Sequence, residues 1–209
     1  MFLGGTWAEE AVVPATAVAR LPKSLIGRPE MAMLGCAFLT AYGAVVNTAS
    51  ISPDNTVAVI GTGGVGLSII QVAKALGARV IAVGRNPEKL KVALKLGAET
   101  VNVREVNPVS AVKELTGGRG GADVVIEAVG SDETIQQAVD MVAIGGKVVL
   151  VGLMPINHKT PLQLARVVRG GGIEIVGSYG ARPRIDLPVV ISMVERGLLR
   201  PELLAGPHL

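Results

Sequence analysis

The stretch Thr56-Val-Ala-Val-Ile-Gly-Thr-Gly-Gly-Val-Gly-Leu67 decides the fold. A β-branched run empties into a glycine turn, and Val65, Ile69, Val72, Ala73 and Leu76 then recur at helical spacing. The pattern predicts a strand, a tight turn and a helix. Gly61 can take backbone angles closed to other residues, Gly63 lets a diphosphate reach the main chain, and Gly66 lets the helix pack close to the strand. Unpaired amides of the first helical turn, at Gly64 and Val65, would then face an anion. In a chain with 27 glycines a bare G-x-G-x-x-G carries little weight. Here a strand precedes it and a helix follows it, the context that dinucleotide binding requires. A tight strand-to-helix turn without a ligand is the plainer alternative.

Composition narrows what can surround this unit. The chain has 209 residues, enough for one full domain and part of a second. Nearly half the residues are apolar and only 2% are aromatic, so Val, Ile, Leu and Ala must build the core, as in buried parallel sheets. No apolar run approaches the roughly 20 residues of a membrane span, so no membrane partner is expected and the protein should be soluble. The N-terminus lacks the basic and apolar regions of a signal peptide. One cysteine suits a reducing cytoplasm. A formal charge of +3, spread among interleaved Lys, Arg, Glu and Asp, argues against nucleic acid as a partner.

Before the glycine turn, residues 1–28 lack a helical period; Thr6 to Val13 and Ala17 to Leu21 read as extended segments ending at Pro14 and Pro22. Two strands cannot close a core alone, so they look like the tail of another, β-rich domain. Glu30 to Leu34 reads as a short helix, Cys36 to Ala49 as a longer one with Phe38, Tyr42, Val45 and Val46 in a stripe, and Ser52 to Asn55 as a turn. After the turn, strands and helices alternate. Strands are expected at Val80 to Val83, Thr100 to Val103, Asp123 to Ala128, Gly146 to Val151 and Ile173 to Gly177. Helices are expected from Asn86-Pro87 to Gly97, Pro108 to Leu115, about Asp132 to Val142, about Leu162 to Val168, and Leu187 to Glu195. Gly117 to Gly121 reads as a loop. Right-handed crossovers then give an α/β fold, a doubly wound parallel six-stranded sheet over residues 29–200, with 201–209 as a short tail.

Four segments together carry a family likeness: Gly5-Thr-Trp-Ala-Glu-Glu-Ala-Val-Val-Pro14, Leu34-Gly-Cys-Ala-Phe-Leu-Thr-Ala-Tyr-Gly-Ala44, the glycine turn, and Gly177-Ser-Tyr-Gly180. In that order they make the chain resemble the zinc-type medium-chain alcohol dehydrogenases over nearly its whole length. The resemblance implies an oxidoreductase moving a hydride between an alcohol or carbonyl substrate and a nicotinamide cofactor. A GroES-like catalytic domain would hold zinc and a Rossmann domain the cofactor. This sequence has the second and, in residues 1–28, the last piece of the first. It would be inactive alone, completed by a separate catalytic domain.

The resemblance also assigns residues. Cys36 aligns with a family ligand to catalytic zinc. Its spacing alone favours a packed, inert cysteine. The other ligands have no counterparts, and His158 and His208 show no ligand-like spacing to Cys36, so zinc should not be retained by this chain. Thr40 matches a threonine near the nicotinamide; an ordinary helix threonine is the alternative. NAD-preferring folds place Asp or Glu about 20 residues past the glycine turn. Gly84 stands there instead, with Arg85 and Lys89 able to meet a 2′-phosphate, so NADP is expected and NAD remains possible. A solvated charge pair is the alternative. Glu127, Ala128, Val129 and Gly130 at the end of the fourth strand, Val151, Gly152 and Leu153 at the end of the fifth, and Ser178 and Tyr179 after the sixth should wall the cofactor cleft, although strand ends also need glycine simply to turn. The sixth strand would be an exposed edge, which related enzymes pair between subunits, implying a homodimer. No Ser-Tyr-Lys set stands at usable spacing to replace zinc. A dinucleotide-binding or redox-sensing module without chemistry, and a zinc-independent quinone-oxidoreductase-like reductase, are competing readings; Cys36 disfavours the latter.

Overall fold

A computed structural model describes residues 8–117, 120–169 and 171–205. Thr6 and Trp7 of the first extended segment, Gly118 and Arg119 of the glycine-rich loop, and His208 lie outside the described residues. Six strands form one parallel sheet: β1 (Thr56–Ile60), β2 (Arg79–Gly84), β3 (Glu99–Asn102), β4 (Ala122–Glu127), β5 (Val142–Leu150) and β6 (Glu174–Gly177). Their order is β3-β2-β1-β4-β5-β6, with every pair parallel. The order reverses between β1 and β4, which opens a crevice beyond the carboxyl ends of the strands. The expected doubly wound sheet is therefore present.

Both faces of the sheet are covered, which explains why its central strands read as unbroken apolar runs. Val57, Val59, Val80, Ala82, Val124 and Ile126 pack with Ile69 and Val72 of α2 (Gly64–Ala75) and with α7 (Pro183–Glu195). Ala58, Ile60, Ile81, Val83 and Val125 pack on the other face with Val112 of α4 (Pro108–Leu115) and Ala138 and Val139 of α5 (Asp132–Met141). α1 (Ala37–Tyr42) lies against α2 and α7, with Phe38 and Ala41 fully buried. The remaining helices are α3 (Pro87–Lys95) and α6 (Leu164–Arg169).

Cap chemistry sets several boundaries where the sequence placed them. The Asn86 side chain accepts from the amides of Glu88 and Lys89 at 2.9 and 3.3 Å, Pro87 opens α3, and Gly97 ends it at φ +83°. Asn107 and Pro108 repeat the device on α4, with Ser110 N donating to Asn107 Oδ1 at 3.1 Å. Ser131 and Thr134 form a reciprocal capping box on α5.

Four expectations are corrected. Residues 8–28 contain no strand: Ala15–Ala17 and Lys23–Leu25 are 3-10 turns, joined by irregular chain. A strand needs a neighbour for its amides and carbonyls, Pro14 and Pro22 remove two donors, and none of the six described strands pairs with this segment. Leu25 instead docks on the core with Met31 and Leu34. The helix expected from Cys36 to Ala49 divides into α1 and a π-helical turn, Gly43–Thr48. At Gly43 the carbonyl of Gly180 occupies the place where any side chain would begin. β5 begins at Val142, ahead of Gly146, and its pairing with β4 shifts register between Ala122 and Val124. The last helix begins at Pro183, a turn earlier than the apolar pattern, because Asp186 caps it from within.

Asp186 is 1% exposed. Its Oδ2 accepts from Arg182 N at 2.7 Å and from Asn47 Nδ2 at 2.8 Å, and its Oδ1 accepts from Arg182 NH2 at 3.1 Å. Burial alone would push this carboxyl up, but the bonds from Arg182 and Asn47 together hold it below its ordinary value. A depressed folded pKa means that the stabilisation is present above the unfolded value near ~4 and is lost as pH falls through the folded value. Asp186→Asn should therefore cost about 1–3 kcal/mol at pH 7 in urea unfolding, and the difference from wild type should shrink below about pH 4. A pH-independent difference would show that the charge of Asp186 contributes nothing.

Candidate cofactor cleft

The glycine turn sits at the carboxyl end of β1, at the mouth of the crevice. Gly61 has φ +104°, closed to most side chains, and its amide donates to Val83 O at 2.9 Å. A side chain on Gly66 would collide with the carbonyl oxygen of Gly61, so glycine there lets α2 close onto the turn. Around Gly63 and Gly64 the position of a β-carbon is open, with nothing within 4 Å. Gly63 caps α2 without a side-chain acceptor, leaving the first-turn amides of Gly64, Val65 and Gly66 without intrahelical partners. The four glycines thus divide into two that permit packing and two that leave space beside free donors. That space and those donors fit a diphosphate.

At the end of β2, Gly84 is buried and its carbonyl accepts from Val103 N at 3.0 Å. A β-carbon at Gly84 would lie 2.6 Å from Thr62 Oγ1 and 2.9 Å from Thr62 Cγ2. Thr62, itself only 6% exposed, therefore fills the space an acidic side chain at Gly84 would start from. Arg85 and Lys89 are exposed and make no side-chain hydrogen bond or ion pair among the described residues. Their charges are available to an anion.

The other wall comes from the loops after β4, β5 and β6. Ala128 N donates to Ile60 O at 2.9 Å, tying this loop to the end of β1. Val129 is half-exposed, and its Cγ2 lies 2.9 Å from where a β-carbon of Gly61 would be, so the fourth-strand loop touches the glycine turn. Val151 and Gly152 follow β5, both amides donating to the Glu127 carbonyl, at 2.8 and 3.1 Å. Ser178 is buried and receives a hydrogen bond from Thr48 Oγ1 at 3.1 Å, while Tyr179 is 91% exposed. Ser178 thereby links the sixth-strand loop to the π-helical turn.

Cys36 and Thr40 lie one helical turn apart at the start of α1, Cys36 exposed and free. His158 is held elsewhere, its Nε2 2.9 Å from Asp132 Oδ1, and it lowers that carboxyl by hydrogen bonding. Among the described residues no group of three or more His, Cys, Asp or Glu could hold a metal ion. Zinc does not fit the described residues by themselves; Cys36 would need ligands from outside them.

One cleft residue escaped the sequence reading, and another was placed there without its partners. Thr62 was only the variable position of a motif. Glu127 is fully buried at the end of β4, and its Oε1 accepts from Val129 N, Gly130 N and Thr134 Oγ1 at 2.7, 2.9 and 2.9 Å. The sequence placed Glu127 at the end of the fourth strand, and an acidic group there needs a specific partner, which the structure supplies.

With the geometry established, known proteins show where it recurs. A family profile described as zinc-binding dehydrogenase matches residues 64–196. An alcohol dehydrogenase class-2 isozyme 2 from Oryctolagus cuniculus is 37% identical over 183 residues, covering 82% of this chain and 46% of that protein. Among solved structures, an NAD-dependent alcohol dehydrogenase superposes with TM-score 0.83 at 34% identity, covering 93% of this chain and 56% of its own. A short chain alcohol dehydrogenase (rspB) from E. coli CFT073, complexed with cofactor NADH, superposes with TM-score 0.78 at 25% identity, over 92% of this chain and 55% of that one. The chain spans about half the length of the relatives it matches. Its sequence, parallel sheet and glycine turn make it a member of the zinc-binding dehydrogenase family, corresponding to the cofactor-binding domain of alcohol dehydrogenase-like oxidoreductases.

Proposed function

We propose that this chain binds NADP in the crevice over the glycine turn and serves as the cofactor half of an enzyme that interconverts an alcohol and a carbonyl compound. The observation that carries the reading is the open space above Gly63 and Gly64 beside free helix amides, together with the exposed Arg85 and Lys89 beyond the neighbouring strand β2. The NADH carried by a structural neighbour of the same fold supports a nicotinamide dinucleotide as the ligand. When bound, the cofactor supplies a nicotinamide ring that accepts or delivers the hydride.

The chain's own residues bind and orient. Gly64, Val65 and Gly66 present amides to the diphosphate. Arg85 offers a planar guanidinium, and Lys89 a point charge, to a 2′-phosphate on the adenosine ribose. Thr62 beside Gly84 takes the place a ribose-binding carboxylate would need, which removes the repulsion that would exclude that phosphate. Ala128, Val129, Val151, Gly152, Ser178 and Tyr179 wall the opposite half of the crevice. Thr40, one turn beyond Cys36, would orient the ring or substrate oxygen. Residues 1–28 would belong to a catalytic domain, with Cys36 supplying a thiolate to zinc held mainly by that domain. The exposed edge of β6 would pair with a second copy, and the single free Cys36 suits a reducing cytoplasm.

Fluorescence titration should show NADPH bound more tightly than NADH. Arg85→Ala should weaken NADPH about ten- to hundredfold and leave NADH nearly unchanged, as expected for one lost charge-assisted phosphate contact. Tighter binding of NADH by the wild type would overturn the assignment of Arg85.

Alcohol oxidation by these residues alone should be negligible and should rise when a catalytic domain of the family is supplied in cis or in trans. Equal rates with and without it would remove zinc from the mechanism. Light scattering at micromolar concentration should return the mass of a dimer; a monomer would count against pairing through β6.

A further inference from the structure

We propose that Thr62, the second residue of the glycine turn, is a specificity-determining residue: it keeps position 84 free of an acidic side chain, so that Thr62 and Gly84 set the choice between NADP and NAD as a pair. The role rests on the dinucleotide reading of that turn. Thr62 is only 6% exposed and acts through the room it leaves at the end of β2.

A glycine is needed at a position for one of two reasons: a backbone angle closed to other residues, or a neighbour standing where the side chain would begin. At Gly84 the first reason is absent. Its φ is not positive, unlike that of Gly61 at +104°, and it continues the regular β2 ladder opposite Asn102 of β3. The second reason is present, and it comes from one residue. A β-carbon on Gly84 would lie 2.6 Å from Thr62 Oγ1 and 2.9 Å from Thr62 Cγ2. Both are well inside the ~3.5 Å at which such atoms begin to rest against each other. The next neighbour, Leu90 Cδ2, stands 3.3 Å away at the end of a flexible side chain.

Rotation of Thr62 does not relieve this contact. Its β-carbon carries Oγ1, Cγ2 and one hydrogen at three staggered positions, and two of those positions face Gly84. Every rotamer therefore leaves at least one heavy atom there. The main chain is held as well. Ile60 pairs with Val83, and Gly61 N donates to Val83 O at 2.9 Å, which carries the ladder of β1 and β2 up to the residues just before Thr62 and Gly84. On its other edge, Gly84 O accepts from Val103 N at 3.0 Å. Strand pairing thus brings the two positions together, and a threonine at one competes for space with any side chain at the other.

The consequence is chemical. An acidic residue at the end of β2 accepts from the ribose hydroxyls of NAD and repels the 2′-phosphate of NADP. With Thr62 in place that carboxylate has no room, and the exposed Arg85 and Lys89 follow without an acidic neighbour at position 84. Turning this chain toward NAD should therefore take two substitutions, one to supply the carboxylate and one to make space for it. The two positions should behave as a coupled pair.

A double-variant comparison on the whole chain tests this, by thermal melting and by fluorescence titration with NADPH and NADH. Gly84→Ala should lower the melting temperature by about 5 °C in the wild-type background, and by less than about half as much in Thr62→Ala. Gly84→Asp should tighten NADH about tenfold in the Thr62→Ala background and less than about twofold with Thr62 present, the scale of one charge-assisted hydrogen bond gained. A Gly84→Asp chain that does not melt cooperatively, beside a double variant that melts cooperatively and binds NADH, would support the pairing. Equal melting losses in both backgrounds, or an equal gain in NADH affinity with and without Thr62, would overturn it. If neither aspartate variant folds, the alanine comparison decides by the same criterion. Wild-type protein that binds neither dinucleotide would instead remove the cofactor reading and the specificity role with it, while the melting comparison still shows whether Thr62 and Gly84 compete for space.

Discussion

The closeness of α2 to β1 is the constraint on which the cleft depends. The carbonyl oxygen of Gly61 stands where a side chain on Gly66 would begin, so the helix can approach the strand only because that residue has none. This contact aims the first turn of α2 along the sheet and leaves its amides facing the crevice. Gly61 must in turn hold φ +104°, because its own neighbours on the far side are Val129 and the carbonyl of Ala128. The turn is therefore fixed from both sides of the point where the strand order reverses.

Electrostatics follows from the same geometry. Cations lie beyond β2, at Arg85 and Lys89, where the chain is exposed and water screens them. An acidic side chain lies on the other side of β1, Glu127, fully buried and tied to backbone amides. One side of the crevice thus offers exposed positive charge and the other a buried, hydrogen-bonded wall. The missing carboxylate at Gly84 belongs to the first half, and Thr62 shows that this absence is built into the packing.

How much of this was legible follows from the range of each interaction. Asn86-Pro87 and Asn107-Pro108 marked helix starts correctly because a cap bonds to amides two or three residues away. The apolar runs announced a parallel sheet because burial on both faces leaves no polar alternation. The extended segments before Pro14 and Pro22 misled, because β-branched composition describes a willingness to pair and says nothing of a partner. The break from α1 into a π-helical turn at Gly43 was invisible for a similar reason: its neighbour, Gly180, is far away in sequence.

The sequence by itself determined the alternation of strands and helices, the glycine turn with a role for each glycine, and the family to which the chain belongs. Those depend on local periodicity, local sterics and short motifs. Only the tertiary structure decided which residues meet: Thr62 with Gly84, Val129 with Gly61, Glu127 with two loops, and Asp186 with Asn47. Such contacts join residues brought together by crossovers and sheet order, and one-dimensional spacing does not encode the distance between them.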